Sequence, residues 1–294
     1  MTTSKPTVLV FQLLLLAFLP VRNALIPFID GGKDLPKLYG GYFDSQIAKQ
    51  ASTAVSKAIQ AGQRRVEVNF PPVPNVEEVR FGTPLNQKFG KLVARDLGVP
   101  GGYKPGSDVS RQLIAFSNAY WAKQLAGALP GRGVAVLTAE PLNISQVKNK
   151  GVQTLKLLQG LRQQQADQPN YAACIAVNPG GEETWERVRQ GAMQNDNAPF
   201  VVLNSAYSTT YGLGNKAGYE EAYYLKRISK GYVFRAFPGK WCAYLEKPDT
   251  SVELLQTYDS KPQLNEVAKL VREESFSRFA IGNDRWTSGF GGRL

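Results

Sequence analysis

The sequence predicts an α/β fold: a mostly parallel, Rossmann-like sheet with helices on both faces and an antiparallel extension toward the C-terminus. Three observations predict it. Short apolar runs at 133–138, 172–177 and 199–204 have the unbroken hydrophobicity of strands buried on both faces. Segments with apolar residues at helical spacing separate them, the alternation that makes neighbouring strands parallel. After Asn204 the helical spacing stops, and alternating runs follow one another across turn residues, as in an antiparallel meander.

Residues 44–61 read as the first helix, because Ile47, Ala51, Ala54, Val55, Ala58 and Ile59 recur on one face and Gly62 ends it. Residues 65–70 (Arg-Val-Glu-Val-Asn-Phe) alternate like a half-buried strand, stopped by Pro71, Pro72 and Pro74. Helices follow at 84–97 and 107–129; the second carries Val109, Leu113, Phe116 and Tyr120 on one stripe before Pro130 and Gly131 stop it. Among the three buried strands, helices are expected at 145–164, with Val147, Leu155, Leu158 and Leu161 inward, and at 181–193. A long polar loop rich in glycine and tyrosine then leads to strands at 231–237, 240–247 and 252–258, with Pro238 and Gly239 as a tight turn. A helix at 263–274 follows. One domain is expected over 37–286, with the Gly-rich residues 287–294 as a loose tail.

Apolar residues make up 43% of the chain and charged residues 20%, which sets aside disordered and fibrous classes. Histidine is absent. That removes His-based acid–base chemistry, His-activated Ser or Cys nucleophiles and every zinc site needing an imidazole. Two cysteines, Cys174 and Cys242, build neither a disulfide framework nor a Cys-rich metal cluster, and both read as small apolar core residues. No catalytic residue, metal or cofactor is assigned. Residues 1–150 hold 18 basic and 9 acidic groups against 17 and 15 in the remainder, so the basic excess lies in the first half. Such a half suits an anionic partner: nucleic acid, a peripheral membrane face or an acidic protein.

Two places carry binding chemistry. Asn178-Pro179-Gly180-Gly181 lies where a buried strand passes into a helix, the edge at which α/β sheets take ligands, and Asn178, Gly180 and Gly181 form a candidate anion site. Against it, Glu182 and Glu183 occupy the first helical turn, stabilise the macrodipole and repel phosphate. The region holding Tyr207, Tyr211, Lys216, Tyr219, Tyr223, Tyr224 and Arg227 is a candidate partner-binding surface, because tyrosine offers rigid contact area at low entropic cost. The alternative is a loop whose rings fold back on the domain. Nucleic-acid binding is not expected: the second half is nearly neutral, and no RRM or KH signature is present. Gly212–Gly218 has one residue too many for a dinucleotide fingerprint, and Ser145 with Lys148 reads as a helix cap rather than a nucleophile pair.

Residues 1–36 read as a targeting presequence. Lys5 precedes an apolar run from Val8 to Leu19, too short to span a bilayer and right for a signal-peptide core. Ala17-Phe18-Leu19-Pro20 follows and resembles the cleavage motif of proteins entering algal complex plastids, with the cut before Phe18; an ordinary secretory signal is the competing reading. Further on, the strand at 66–70 with its proline tail, Asn178-Pro179, the strand at 200–204 and Arg235-Ala236-Phe237-Pro238-Gly239-Lys240-Trp241-Cys242-Ala243-Tyr244 together resemble one plastid family of unknown biochemical activity. It includes the Low Photosystem II Accumulation assembly factor and a C-terminal extension of a chloroplast adenylate kinase. The resemblance spans roughly 44–270 and implies an α/β fold, a plastid location, and assembly or maintenance of the photosynthetic apparatus through thylakoid or photosystem proteins. It implies no catalytic residue. The competing reading is a nucleotide- or phosphometabolite-binding protein with its site at the carboxyl edge of the strands, near Thr138, Asn178 and Asn204.

Overall fold

The computed structural model describes residues 46–71, 108–129, 131, 133–138, 152–156, 171–193, 195–205, 218–249 and 251–279. The first elements are α1 (Gln46–Gln60), β1 (Arg65–Asn69), α2 (Asp108–Ala126), β2 (Val134–Thr138), β3 (Val152–Lys156) and β4 (Ala173–Val177). Then come α3 (Glu182–Ala192), β5 (Phe200–Leu203), β6 (Glu220–Ile228), β7 (Gly231–Ala236), β8 (Trp241–Glu246), β9 (Val252–Tyr258) and α4 (Leu264–Phe279). The described strands form one nine-stranded sheet in the order β3-β2-β4-β5-β1-β6-β7-β8-β9. Neighbours are parallel from β3 to β6 and antiparallel from β6 to β9. This is the α/β architecture with an antiparallel extension that the sequence pattern predicts. No helix among the described residues is long and apolar enough to cross a membrane.

Alternation along the strands sorts their side chains into two layers. On one face Val66, Val68, Ile175, Val201, Leu203 and Tyr223 pack under α1 and α2. Helix α1 presents Ile47, Ala51, Ala54, Val55 and Ala58, a stripe whose small alanines let the backbones approach closely. Ser56 Oγ donates to the Ala128 carbonyl at 3.1 Å, just beyond α2. Phe70 sits edge-on to both Trp121 and Tyr223, at centroid distances of 5.2 and 5.9 Å, and so seals the end of β1. The opposite face carries two separate apolar clusters. Helix α3 lays Trp185, Val188 and Ala192 over Leu137, Ala176, Phe200 and Val202, while α4 lays Val267 and Val271 over Val233, Trp241, Ala243 and Leu245.

Several sequence expectations are corrected. Val152–Lys156, inside the helix expected at 145–164, is strand β3, paired parallel to β2 along its whole length. Val152 and Thr154 are β-branched, and the pairing with β2 outweighs a helical periodicity that rested on four leucine and valine positions. The loop expected from Asn204 to Gly231 contains β6, hidden in the sequence by its charged residues Glu220, Glu221, Lys226 and Arg227. Strand β1 is buried on both faces rather than half-buried, because polar partners and not water receive its inward polar side chains. Helix α4 runs to Phe279, five residues beyond the expected end. The Pro238-Gly239 turn is present, closed by the Gly239 N–H on the Ala236 carbonyl at 2.8 Å. The helix expected at 84–97, the presequence and the 287–294 tail lie outside the described residues.

Candidate functional site

Between the two apolar clusters of the second face, β1 and β6 carry polar side chains. Register sets this up. Glu67 pairs with Val202 of β5 on one side and Glu221 of β6 on the other, so two carboxyl groups stand side by side in an otherwise apolar row. One extra residue in β6, Ala222, shifts the register after Glu67, so that Asn69 pairs with Tyr224. A bulge of this kind re-aims side chains, and it places Tyr223 in the core of the first face and Tyr224 on the second. Glu67 and Glu221 are each 2% exposed and Asn69 is 6% exposed.

Buried carboxyl groups need partners. The Asn69 amide donates to Glu67 Oε1 at 2.5 Å and to Glu221 Oε1 at 2.8 Å, bridging the pair. Lys261, between β9 and α4, places Nζ 2.7 Å from Glu221 Oε2. Its ammonium also lies over the rings of Tyr224 and Trp241, at 4.8 and 5.5 Å from their centres. Burial pushes the Glu67 carboxyl up to about 8, and the neighbouring Glu221 charge adds to the rise; the Asn69 bond and Lys261 hold it back, while Glu182 of α3 raises it slightly. Glu67 is therefore mostly protonated at neutral pH, a neutral acid beside an ion pair.

Arg235 extends the network. It donates to the Glu221 carbonyl at 2.7 Å and the Gly239 carbonyl at 3.2 Å, and pairs with Glu220 at 2.7 Å. Its guanidinium lies 5.4 Å from the Trp241 ring centre and 6.0 Å from that of Phe237. The Arg-Ala-Phe-Pro-Gly-Lys-Trp segment thus wraps its own arginine and fastens it to β6. Toward the amino end of β1 a second polar group forms around Glu186 of α3, which receives the Tyr219 hydroxyl at 2.9 Å and pairs with Arg189 at 2.9 Å and Arg65 at 3.3 Å. Burial alone would raise the Glu186 carboxyl; the Arg189 and Tyr219 bonds outweigh it and hold the group below its ordinary range.

The structure sorts the sequence candidates. Tyr219, Tyr223 and Tyr224 are core residues, so the reading of them as an exposed surface is corrected: their rings fold back on the domain. Tyr219 lies edge-on to Trp185 at 5.1 Å, and Tyr223 reaches Gln50 of α1 with its hydroxyl at 3.1 Å. Arg227 pairs with Glu246 at 2.9 Å. Tyr207, Tyr211 and Lys216 lie outside the described residues. Asn178 and Gly180 take left-handed backbone, φ 45° and 93°, and Gly181 caps α3. That turn is stitched internally: Trp185 Nε1 donates to the Gly180 carbonyl at 3.1 Å, and Thr184 Oγ1 reaches the Pro179 carbonyl at 2.7 Å. The Glu183 carboxylate packs against Gly181, placing a negative group where an anion would approach. Sequence reasoning missed the Glu67–Asn69–Glu221–Lys261 cluster. The available signal was a glutamate at the inward position of a proline-stopped strand; its partner Glu221 stood in a stretch read as loop.

Residues 45–269 match the model of a family described as Domain of unknown function (DUF1995), a span within a residue of the resemblance drawn from the sequence. No curated protein and no solved structure matches the chain.

Proposed function

We propose that this chain, which belongs to the DUF1995 family, is a plastid protein that acts in assembly or maintenance of the photosynthetic apparatus by contacting other proteins. The observation that carries the reading is the use made of the Arg235–Tyr244 segment, whose Phe-Pro-Gly-x-Trp part, Phe237 to Trp241, is the most specific piece of the resemblance. Its arginine, packed on its own phenylalanine and tryptophan, ties β7 to β6, the strand at which the parallel half meets the antiparallel extension. A shared segment spent on holding two halves together suits a scaffold that recognises partners by its surface. The basic first half of the chain supplies an electrostatic preference for acidic partners. Fractionation of the source cells followed by affinity purification tests this. The expected result is a plastid protein that brings down photosystem or thylakoid proteins. A protein found free of plastids, or one that never co-purifies with photosystem components, overturns it.

A second reading, a nucleotide- or phosphometabolite-binding protein, is favoured by one observation. Asn178 and Asn204, which follow β4 and β5 at the carboxyl edge, both take left-handed backbone, and Ser205 Oγ there is buried without a hydrogen-bond partner. Against it stand Glu182 and Glu183 at the same edge, which repel an anion. Thermal-shift screening with nucleotides and phosphosugars decides: absence of stabilisation at millimolar ligand removes this reading.

A further inference from the structure

Two acceptors in the Glu67 cluster lack a donor. Asn69 Oδ1 is buried with no hydrogen-bond partner, although the nitrogen of the same amide serves both carboxyl groups. Among the described residues Glu67 receives one hydrogen bond, from Asn69 to Oε1, and its second oxygen receives none. The charge count is uneven too: Glu67 and Glu221 face one ammonium, that of Lys261, which is committed to Glu221 at 2.7 Å. Glu182, in the first turn of α3, adds further negative potential toward Glu67. With the proton on Glu67 the cluster is neutral; once Glu67 ionises it is one positive charge short, and Asn69 Oδ1 is the buried acceptor left without a donor.

Asn69 is the last residue of β1, at the carboxyl edge of the parallel strands. The next described helix after β1, α2, covers one face of the sheet, whereas α3, after β4, covers the other.

We propose that the Glu67–Asn69–Glu221 cluster is a binding site for a compact cationic nitrogen, a primary ammonium or guanidinium group of a small molecule, taken up in exchange for a proton. The cation's N–H groups would satisfy Asn69 Oδ1 and the open Glu67 oxygen, and its charge would complete the pair of carboxylates. The proton leaves Glu67 for solvent as the cation enters, so the buried charge stays constant. Burial and Glu221 make that proton the resident occupant at neutral pH, with Lys261 and Asn69 acting against it and Glu182 for it. The inference does not depend on a plastid location or on a photosynthetic role.

The test is calorimetric titration of the full chain with methylammonium and methylguanidinium chloride at constant ionic strength, at pH 6.5 and 8.5. Tetramethylammonium, which donates no N–H bond, and magnesium chloride are the controls. The expected result is binding about tenfold or more tighter at pH 8.5 than at 6.5, with about one proton released per cation at the lower pH. Glu67→Gln, which copies the neutral acid and so should fold, is expected to lose the binding and its pH dependence. Lys261→Met leaves the cluster a second charge short; methylammonium is expected to raise its melting temperature more than that of the unaltered chain, and an equal or smaller rise overturns the proposal. So do absence of binding at pH 8.5, equal binding by Glu67→Gln, equal binding of tetramethylammonium, and tighter binding of magnesium, which would make the cluster a metal site.

Discussion

Lys261 Nζ and Glu221 Oε2 form a 2.7 Å ion pair in which the lysine side chain is 11% exposed and the glutamate 1%. The pair joins β6, in the middle of the sheet, to the segment that leads into α4. It is held between the Tyr224 and Trp241 rings on one side and the Asn69 amide on the other. A carboxylate so enclosed depends on its cation, because water cannot replace it.

Lys261→Met is therefore expected to cost about 3–5 kcal/mol of folding stability, most of it from leaving Glu221 charged and alone. Urea unfolding of the single variant and of Glu221→Leu/Lys261→Met measures this. The double variant should recover most of the loss, since an apolar pair of similar volume removes the unpaired charge.

Stability should fall as pH rises between the ordinary glutamate range and about 8, the value to which Glu67 is pushed. Its carboxyl keeps a proton in the folded chain that the unfolded chain releases, so the unfolded state binds fewer protons in that window and the slope is negative. One such proton gives a slope of up to about 1.4 kcal/mol per pH unit, levelling above 8. Denaturant midpoints taken from pH 5 to 9 check the sign, and Glu67→Gln should flatten the curve.

Gly231 opens β7 against β8 where a side chain has no room. A Cβ there would collide with the Tyr244 carbonyl and approach Val271 Cγ1 of α4 to 2.9 Å. Gly231→Ala is expected to destabilise by about 1–3 kcal/mol, by pushing α4 off the sheet or parting the two strands. Thermal unfolding gives the magnitude, and faster exchange of amides in α4 would show which contact yields.

Cys174 and Cys242 are buried, and burial pushes both thiols up, away from the reactive thiolate; for Cys242 a bond from Tyr244 offsets this in part. Neither thiol should react with a maleimide in the native protein, and both should react in denaturant. Native labelling of either at a rate comparable to that of a free thiol would show that the sheet opens around it.

The sequence displays elements whose neighbours in the chain suffice to form them. Helix α1 is legible from its Ile47-to-Ala58 stripe and the Gly62 stop, and β2, β4 and β5 from apolar runs too short for helices. Strand β6 is not legible, because its charged residues find their partners elsewhere in the chain: Glu221 on Lys261, Arg227 on Glu246. Nor is β3, whose pattern admits either a helix or an edge strand until β2 lies beside it.

By itself the sequence determined the class of fold, the antiparallel extension, and the exclusion of histidine chemistry and of a cysteine-rich cluster or disulfide framework, because residue types and the period of burial are local properties. Tertiary structure decided that β6 enters beside β1 with one residue to spare at Ala222. The pairing of Glu67 with Glu221 just before that bulge brings Glu221 onto the same asparagine as Glu67, across 152 positions of chain. Register between distant strands is fixed by the energy of the whole sheet rather than by either strand, and so the cluster exists only once the sheet has closed around it.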